Sequence, residues 1–357
     1  MVLQGRLARP VLRTVLTVLA VLVGIVLFNY CRYQVFWHPT ETVEFVSDGL
    51  VIRGTLIKPD ETGVFPAVVM LHGSGPDVTS DPSYRLTANT LVRNGAAVLL
   101  YDKRGVGMSD GDFEQALYKD FVNDAIAAVT YLSTRPDVDT GRIALHGNSE
   151  GGWFTAEVAH RTGQVASIFN RAGPPLPWIT TVLWEARNEF LDAGVPEADL
   201  DALQAITERR WRYYIAAGND ANKVSSPERD AINARLTELR ASVPVADEVL
   251  PEKVADYEAS RYAAFAADYA YDPQPFLRQI DVPMQYVFGE TDVNIPTAQS
   301  VEFLQAFRSS TGKDIEVYVI DDAGHSFFGF SGLLTAGFRP EYVDLLASWG
   351  ARLSSDD

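Results

Sequence analysis

The chain has 357 residues, 47% of them hydrophobic, and a net charge of −17. That is enough for one large domain with an insertion, and the charge argues against binding nucleic acid by neutralising phosphates. The single cysteine, Cys31, excludes an intrachain disulfide, and no histidine, cysteine or carboxylate spacing suggests a metal site. No P-loop or dinucleotide fingerprint stands in the right context, so no cofactor is expected either.

At the N-terminus, Arg6, Arg9 and Arg13 precede an apolar run from Thr14 to Phe28. Taken from Val11 to Tyr30, the run has about the 20 residues that a membrane-spanning helix needs. It is apolar all round, which suits neither a surface helix nor an amphipathic one. A cleaved signal peptide is the competing reading, but Phe28-Asn29-Tyr30-Cys31 offers no small residues for cleavage. The expectation is an uncleaved signal anchor and linker over residues 1–40, with the N-terminus in the cytoplasm and the globular part exported. Secretion after cleavage is the alternative.

The first central strand is Pro66-Ala67-Val68-Val69-Met70-Leu71, which runs into the glycine turn His72-Gly73-Ser74-Gly75-Pro76. The next, from Val98 to Tyr101, runs into Asp102-Lys103-Arg104-Gly105-Val106-Gly107-Met108-Ser109, which reads as a tight packed turn. Ile143 to Leu145 is a third buried strand. It leads into Gly147-Asn148-Ser149-Glu150-Gly151, a G-x-S-x-G pattern, and Gly152 and Trp153 continue into a helix. Strand, sharp turn and helix is the setting in which a serine hydroxyl is held exposed at a strand end. Val165 to Phe169 ends in Asn170-Arg171 and offers no carboxylate.

Between Pro174 and Asp272 strand-like runs give way to helical ones. Pro196 opens a helix carrying Leu200, Leu203 and Ile206, with Gly218 as its end. Ser226-Pro227 starts another, carrying Ile232, Leu236 and Leu239. The aromatic residues of this segment (Trp178, Trp184, Phe190, Trp211, Tyr213, Tyr214) would serve as its core or line a pocket. Strands return at Met284 to Phe288, followed by Gly289-Glu290-Thr291-Asp292, and at Ile315 to Ile320, followed by Asp321-Asp322-Ala323-Gly324-His325.

A serine becomes a nucleophile when a base takes its proton. Of the five histidines, His38 lies far from any strand end, and His72 and His146 lead straight into glycine turns. His160 belongs to a helix surface. His325, on a loop past a late strand, is the candidate base for Ser149. Its orienting acid is Asp292, after the preceding strand, with Glu290 as second choice. Asp321 and Asp322 are too close in sequence to approach the far side of the ring. Two backbone N–H groups are needed to hold a developing oxyanion. Glu150 supplies one and the loop after Leu71 the other, assigned to Ser74 with Gly73 or Gly75 as register alternatives.

The order Ser149, Asp292, His325, together with the His72–Pro76 loop and the Asp102–Ser109 turn, resembles the α/β-hydrolases over residues 43–173 and 273–355. The loop and elbow together are similar to bacterial carboxylesterases related to the serine aminopeptidase and S9-type group, though Asn148 stands where those esterases often have histidine. The resemblance implies an α/β-hydrolase fold: a mostly parallel eight-stranded sheet flanked by helices, with its core in residues 41–173 and 273–357 and a helical cap over 174–272. It implies hydrolysis of a small-molecule ester, with a short peptide as the alternative substrate and a non-catalytic binding module as a third possibility. The sequence is silent on oligomeric state.

Overall fold

A computed structural model describes residues 4–33, 37–217, 226–254, 261–329 and 337–355. The sheet is built from β1 (Thr40–Ser47), β2 (Leu50–Ile57), β3 (Phe65–Leu71), β4 (Ala97–Tyr101), β5 (Val138–Asn148), β6 (Val165–Arg171), β7 (Met284–Gly289) and β8 (Ile315–Ile320). Its order is β1-β2-β4-β3-β5-β6-β7-β8. The first two pairings, β1 with β2 and β2 with β4, are antiparallel. All others are parallel. The central strands read as unbroken apolar runs because a parallel sheet is covered on both faces, and every residue of β7 is buried. β5 begins five residues before the apolar Ile143 and shifts register against both neighbours.

Among the described residues the helices are α1 (Gln4–Tyr33), α2 (Pro82–Arg93), α3 (Tyr118–Ser133), α4 (Glu150–Thr162), α5 (Trp178–Asp192), α6 (Glu197–Ala217), α7 (Ser226–Ser242), α8 (Ala246–Val249), α9 (Arg261–Tyr269), α10 (Gln274–Leu277), α11 (Thr297–Thr311) and α12 (Pro340–Ser354). Helix α3 packs on α4 and α2 on α12, and these pairs cover the sheet. The turn after β4 is pinned by Arg104, whose guanidinium takes both carboxylate oxygens of the buried Asp124 on α3 at 2.8 and 2.7 Å. Asp102 closes the same turn by accepting the amides of Thr79 and Met108. The segment is a packed turn, as its glycines suggested.

Helices α5 to α8 and the residues just after α8 supply a second buried cluster. It holds Leu200, Leu203 and Ile206 of α6 and Ile232, Leu236 and Leu239 of α7, so the helical spacing seen in the sequence faces this core. Phe190, Tyr213 and Tyr214 are buried in it too. Gly218, expected to end α6, lies outside the described residues.

The N-terminal helix forms, and its described side chains from Leu12 to Phe28 are exposed. Among the described residues no helix is long and apolar enough to cross a membrane, so the structure lends the spanning reading of residues 11–30 no support.

Candidate active site

The site gathers at the C-terminal ends of the parallel strands, where ligands of open α/β sheets bind. Ser149 is the N-cap of α4 and takes φ 51°, ψ −117°. A side chain held at positive φ costs on the order of 1–3 kcal/mol, so the surroundings must over-determine it. They do so through hydrogen bonds and contact. The Ser149 amide donates to Arg171 O on β6 at 2.8 Å, and the Ser149 carbonyl accepts from the Gly152 amide at 2.8 Å. A Cβ at Gly151 would stand 2.5 Å from Leu71 O, and one at Gly152 would stand 2.4 Å from Gly173 Cα. The glycines of the elbow therefore let α4 press against the ends of β3 and β6.

His325 and Asp292 arrive from the loops after β8 and β7. His325 Nδ1 lies 2.8 Å from Asp292 Oδ2, and Nε2 lies 3.0 Å from Ser149 Oγ. With a carboxylate at Nδ1, the network assigns that nitrogen the proton and leaves Nε2 to accept from the serine. The Asp292 side chain is fully buried. Its second oxygen accepts the amides of Asn294 and Ile295 at 2.8 and 3.0 Å, which locks its rotamer. Glu290, the other candidate acid, is exposed and accepts the Asp322 amide at 3.0 Å, so it braces the two loops against each other.

Around the His72–Pro76 loop a polar network fixes the backbone. The Gly73 amide donates to Tyr84 Oη at 2.8 Å, which occupies it and removes Gly73 as an oxyanion donor. Tyr84 donates to Asp77 at 2.8 Å and accepts from Asn148 at 2.9 Å. Asn148 in turn accepts from Arg171 at 2.6 Å. Asparagine at 148 thus bridges β6 to the loop with both halves of its amide. Among the described residues no acceptor is seen for the Ser74 amide, and the Glu150 amide opens α4, where no intrahelical acceptor exists.

The other histidines have separate roles. His72 is buried against the rings of Tyr84 and Tyr101, and His146 stacks on Phe169. Burial holds both down at about 3, so they stay neutral. Among the described residues no cluster of three ligating side chains could hold a metal ion.

Two features lie beyond the sequence reading. Helix α5 rests on the Asp292 loop: Trp184 Nε1 donates to Asp292 O at 3.3 Å and Asn188 Nδ2 to Val293 O at 2.8 Å. Glu185 of the same helix is pushed up to about 7 by burial and by Glu189, with His325 opposing and Asp292 adding. On α9, burial raises Asp268 to about 7 against the Tyr118 amide it accepts, and Glu150 and Asp120 add to it.

A family model described as X-Pro dipeptidyl-peptidase (S15 family) matches residues 48–326. Esterase EstD of Thermotoga maritima is 25% identical over 294 residues, covering 80% of this chain and 60% of its own length. Thiohydrolase apmlB of Arthrinium phaeospermum is 33% identical over 168 residues, 46% of this chain and 52% of its own. The chain thus spans little more than half the length of these two relatives. Among solved structures, the Pyrococcus furiosus esterase Pf2001 superposes with a TM-score of 0.56 at 16% identity, covering 89% of this chain and 92% of its own. At that identity the shared property is the fold.

Glu185 and Asp268 titrate near 7 when folded, against ordinary values of 4.5 and 3.8. Below those ordinary values both are neutral in either state. As pH rises toward 7 the unfolded chain sheds its protons first, so these groups make folding less favourable. Glu185→Gln and Asp268→Asn are each expected to raise Tm relative to the wild type at about pH 8 and to leave it nearly unchanged at about pH 3. Thermal melts at the two values check this, and an equal shift at both would contradict it.

Proposed function

Because this chain belongs to the X-Pro dipeptidyl-peptidase (S15) family of α/β-hydrolases, we propose that it is a serine hydrolase that cleaves carboxylic esters through an acyl-enzyme. One observation carries the reading: the unbroken line of hydrogen bonds from Asp292 through His325 to Ser149 Oγ. His325 takes the serine proton as Oγ attacks the ester carbonyl, and Asp292 holds the imidazolium that forms. The amides of Glu150 and Ser74 receive the tetrahedral oxyanion. His325 then gives its proton to the departing alkoxide. Water repeats the sequence on the acyl-serine and returns a carboxylic acid and the free enzyme.

The same parts serve a second reading, a serine peptidase, and the family match favours it. An amide has a poorer leaving group than an ester, so it asks more of substrate positioning. The ester reading needs only the residues named above, and the similarity to EstD supports it. The core of residues 41–173 and 273–357 would carry the chemistry, with the insertion of 174–272 as a cap above Ser149. The separate core of α5–α8 and the seat of Trp184 on Asp292 support that division.

The membrane attachment inferred from Arg6, Arg9, Arg13 and the apolar run after them belongs to the proposal as well, with the domain on the exported side. Support comes from the sequence and from the exposed apolar side chains of α1, such as Phe28 at 68%. Water disfavours a continuous apolar surface of this kind.

Ser149→Ala is expected to leave the fold intact by circular dichroism and to lower hydrolysis of a p-nitrophenyl ester by about 10³-fold or more. Near-wild-type turnover would sink the assignment, and faster cleavage of a matched X-Pro anilide by the wild type would favour the peptidase. Alkaline carbonate should leave the full-length chain in the membrane pellet, whereas complete release would end the anchor reading.

A further inference from the structure

We infer that Lys103 is a positioning residue for the oxyanion site, holding in register the two peptide groups that receive the oxygen. The inference rests on the reading of Ser149 given above. Lys103 follows β4 in the packed turn, and its side chain is only 4% exposed. Its Nζ donates to the carbonyl of Gly73 and to Glu150 Oε1, the latter at 3.1 Å. Nζ also stands 4.5 Å from the ring centroid of Phe121 and 5.5 Å from that of Phe113. Taking an ammonium out of water is costly unless its donors are met. Here a carbonyl, a carboxylate and two ring faces meet them.

The two polar partners are informative because of the amides to which they are joined. Gly73 O and the Ser74 N–H belong to one planar trans peptide, so they point in opposite directions. Fixing the carbonyl toward Lys103 fixes the Ser74 N–H away from it. The ammonium also polarises that peptide and makes its N–H a stronger donor. Gly73 lies against the nucleophile: a Cβ there would stand 3.7 Å from Ser149 Cβ. The second partner, Glu150, is the first residue of α4, and its own N–H follows Ser149 directly. Tying its side chain to Lys103 limits rotation of the peptide that presents this second donor. One buried cation thus joins the loop after β3 to the start of α4. A residue needed only to fill the space would be apolar.

An oxyanion exists only after attack, so a residue that aligns its donors acts on kcat more than on KM. Lys103→Met is expected to lower kcat for a p-nitrophenyl ester by about 10- to 100-fold, with KM within about threefold of wild type. Affinity for a trifluoromethyl ketone, whose adduct carries the oxyanion, should fall by a similar factor. Propylammonium should restore part of kcat to Lys103→Ala, and propanol should not. If Lys103→Met fails to fold, Glu150→Gln is the second variant: it keeps the amide and the side-chain size, loses the charge pair, and should show a smaller kcat loss with unchanged KM. Wild-type kcat in a folded Lys103→Met, or a loss that falls on KM alone, would overturn the inference. A fluorophosphonate probe separates the two levels of the argument. If the wild type fails to label at Ser149, the serine hydrolase reading fails; if the wild type labels and the folded Lys103→Met labels equally fast, only the role of Lys103 fails.

Discussion

The backbone of Ser149 sits at φ 51°, in a region that a serine enters only when its neighbours leave no alternative. The rest of the site depends on that constraint. The amide of Ser149 is held by β6, through Arg171 O, and the glycines after it admit the ends of β3 and β6 to contact distances that no Cβ would tolerate. Those contacts require β3, β5 and β6 to lie side by side in parallel, which is their order in the sheet. The sheet thus fixes one hydroxyl at a strand end, and the crossing order fixes what can reach it. The loops after β7 and β8 then deliver Asp292 and His325 to the same end.

Several of the polar groups buried around this point are joined in chains. Arg171, Asn148, Tyr84 and Asp77 run from β6 to the loop after β3. Lys103 ties that same loop to α4. A buried polar group without a partner costs more than a made hydrogen bond returns, so each chain resists local rearrangement. On the proposed reading, the oxyanion donors are then set before any substrate arrives, which is the condition for electrostatic stabilisation of a transition state.

Much of this was legible in the chain. The parallel strands announced themselves as apolar runs, and Ser149, Asp292 and His325 each follow one. Order placed both Asp292 and Glu290 in the loop after β7, and the structure separates them: the short Asp292 side chain turns back onto the amides of Asn294 and Ile295 while Glu290 reaches solvent. Lys103 was hidden because its partners, Gly73 and Glu150, are remote in sequence and meet only through the sheet. The bridge made by Asn148 was hidden for the same reason. Glu185 and Asp268 gave no signal because carboxylates on helices usually face water, and only the docking of helix α5 and α9 shows their burial. The aromatic residues of the insertion could be assigned to core or pocket only by packing, which placed Phe190, Tyr213 and Tyr214 in the core.

The central claim is that Ser149 carries the acyl group. Rapid quenching of the enzyme during turnover of p-nitrophenyl acetate, followed by proteolysis and mass spectrometry, tests it most directly. The account predicts an early burst of nitrophenol and one acetyl group on the peptide that contains Ser149, lost on further incubation. A burst with the acetyl group on another residue, or steady turnover with no acyl-enzyme under conditions that trap one, would contradict it.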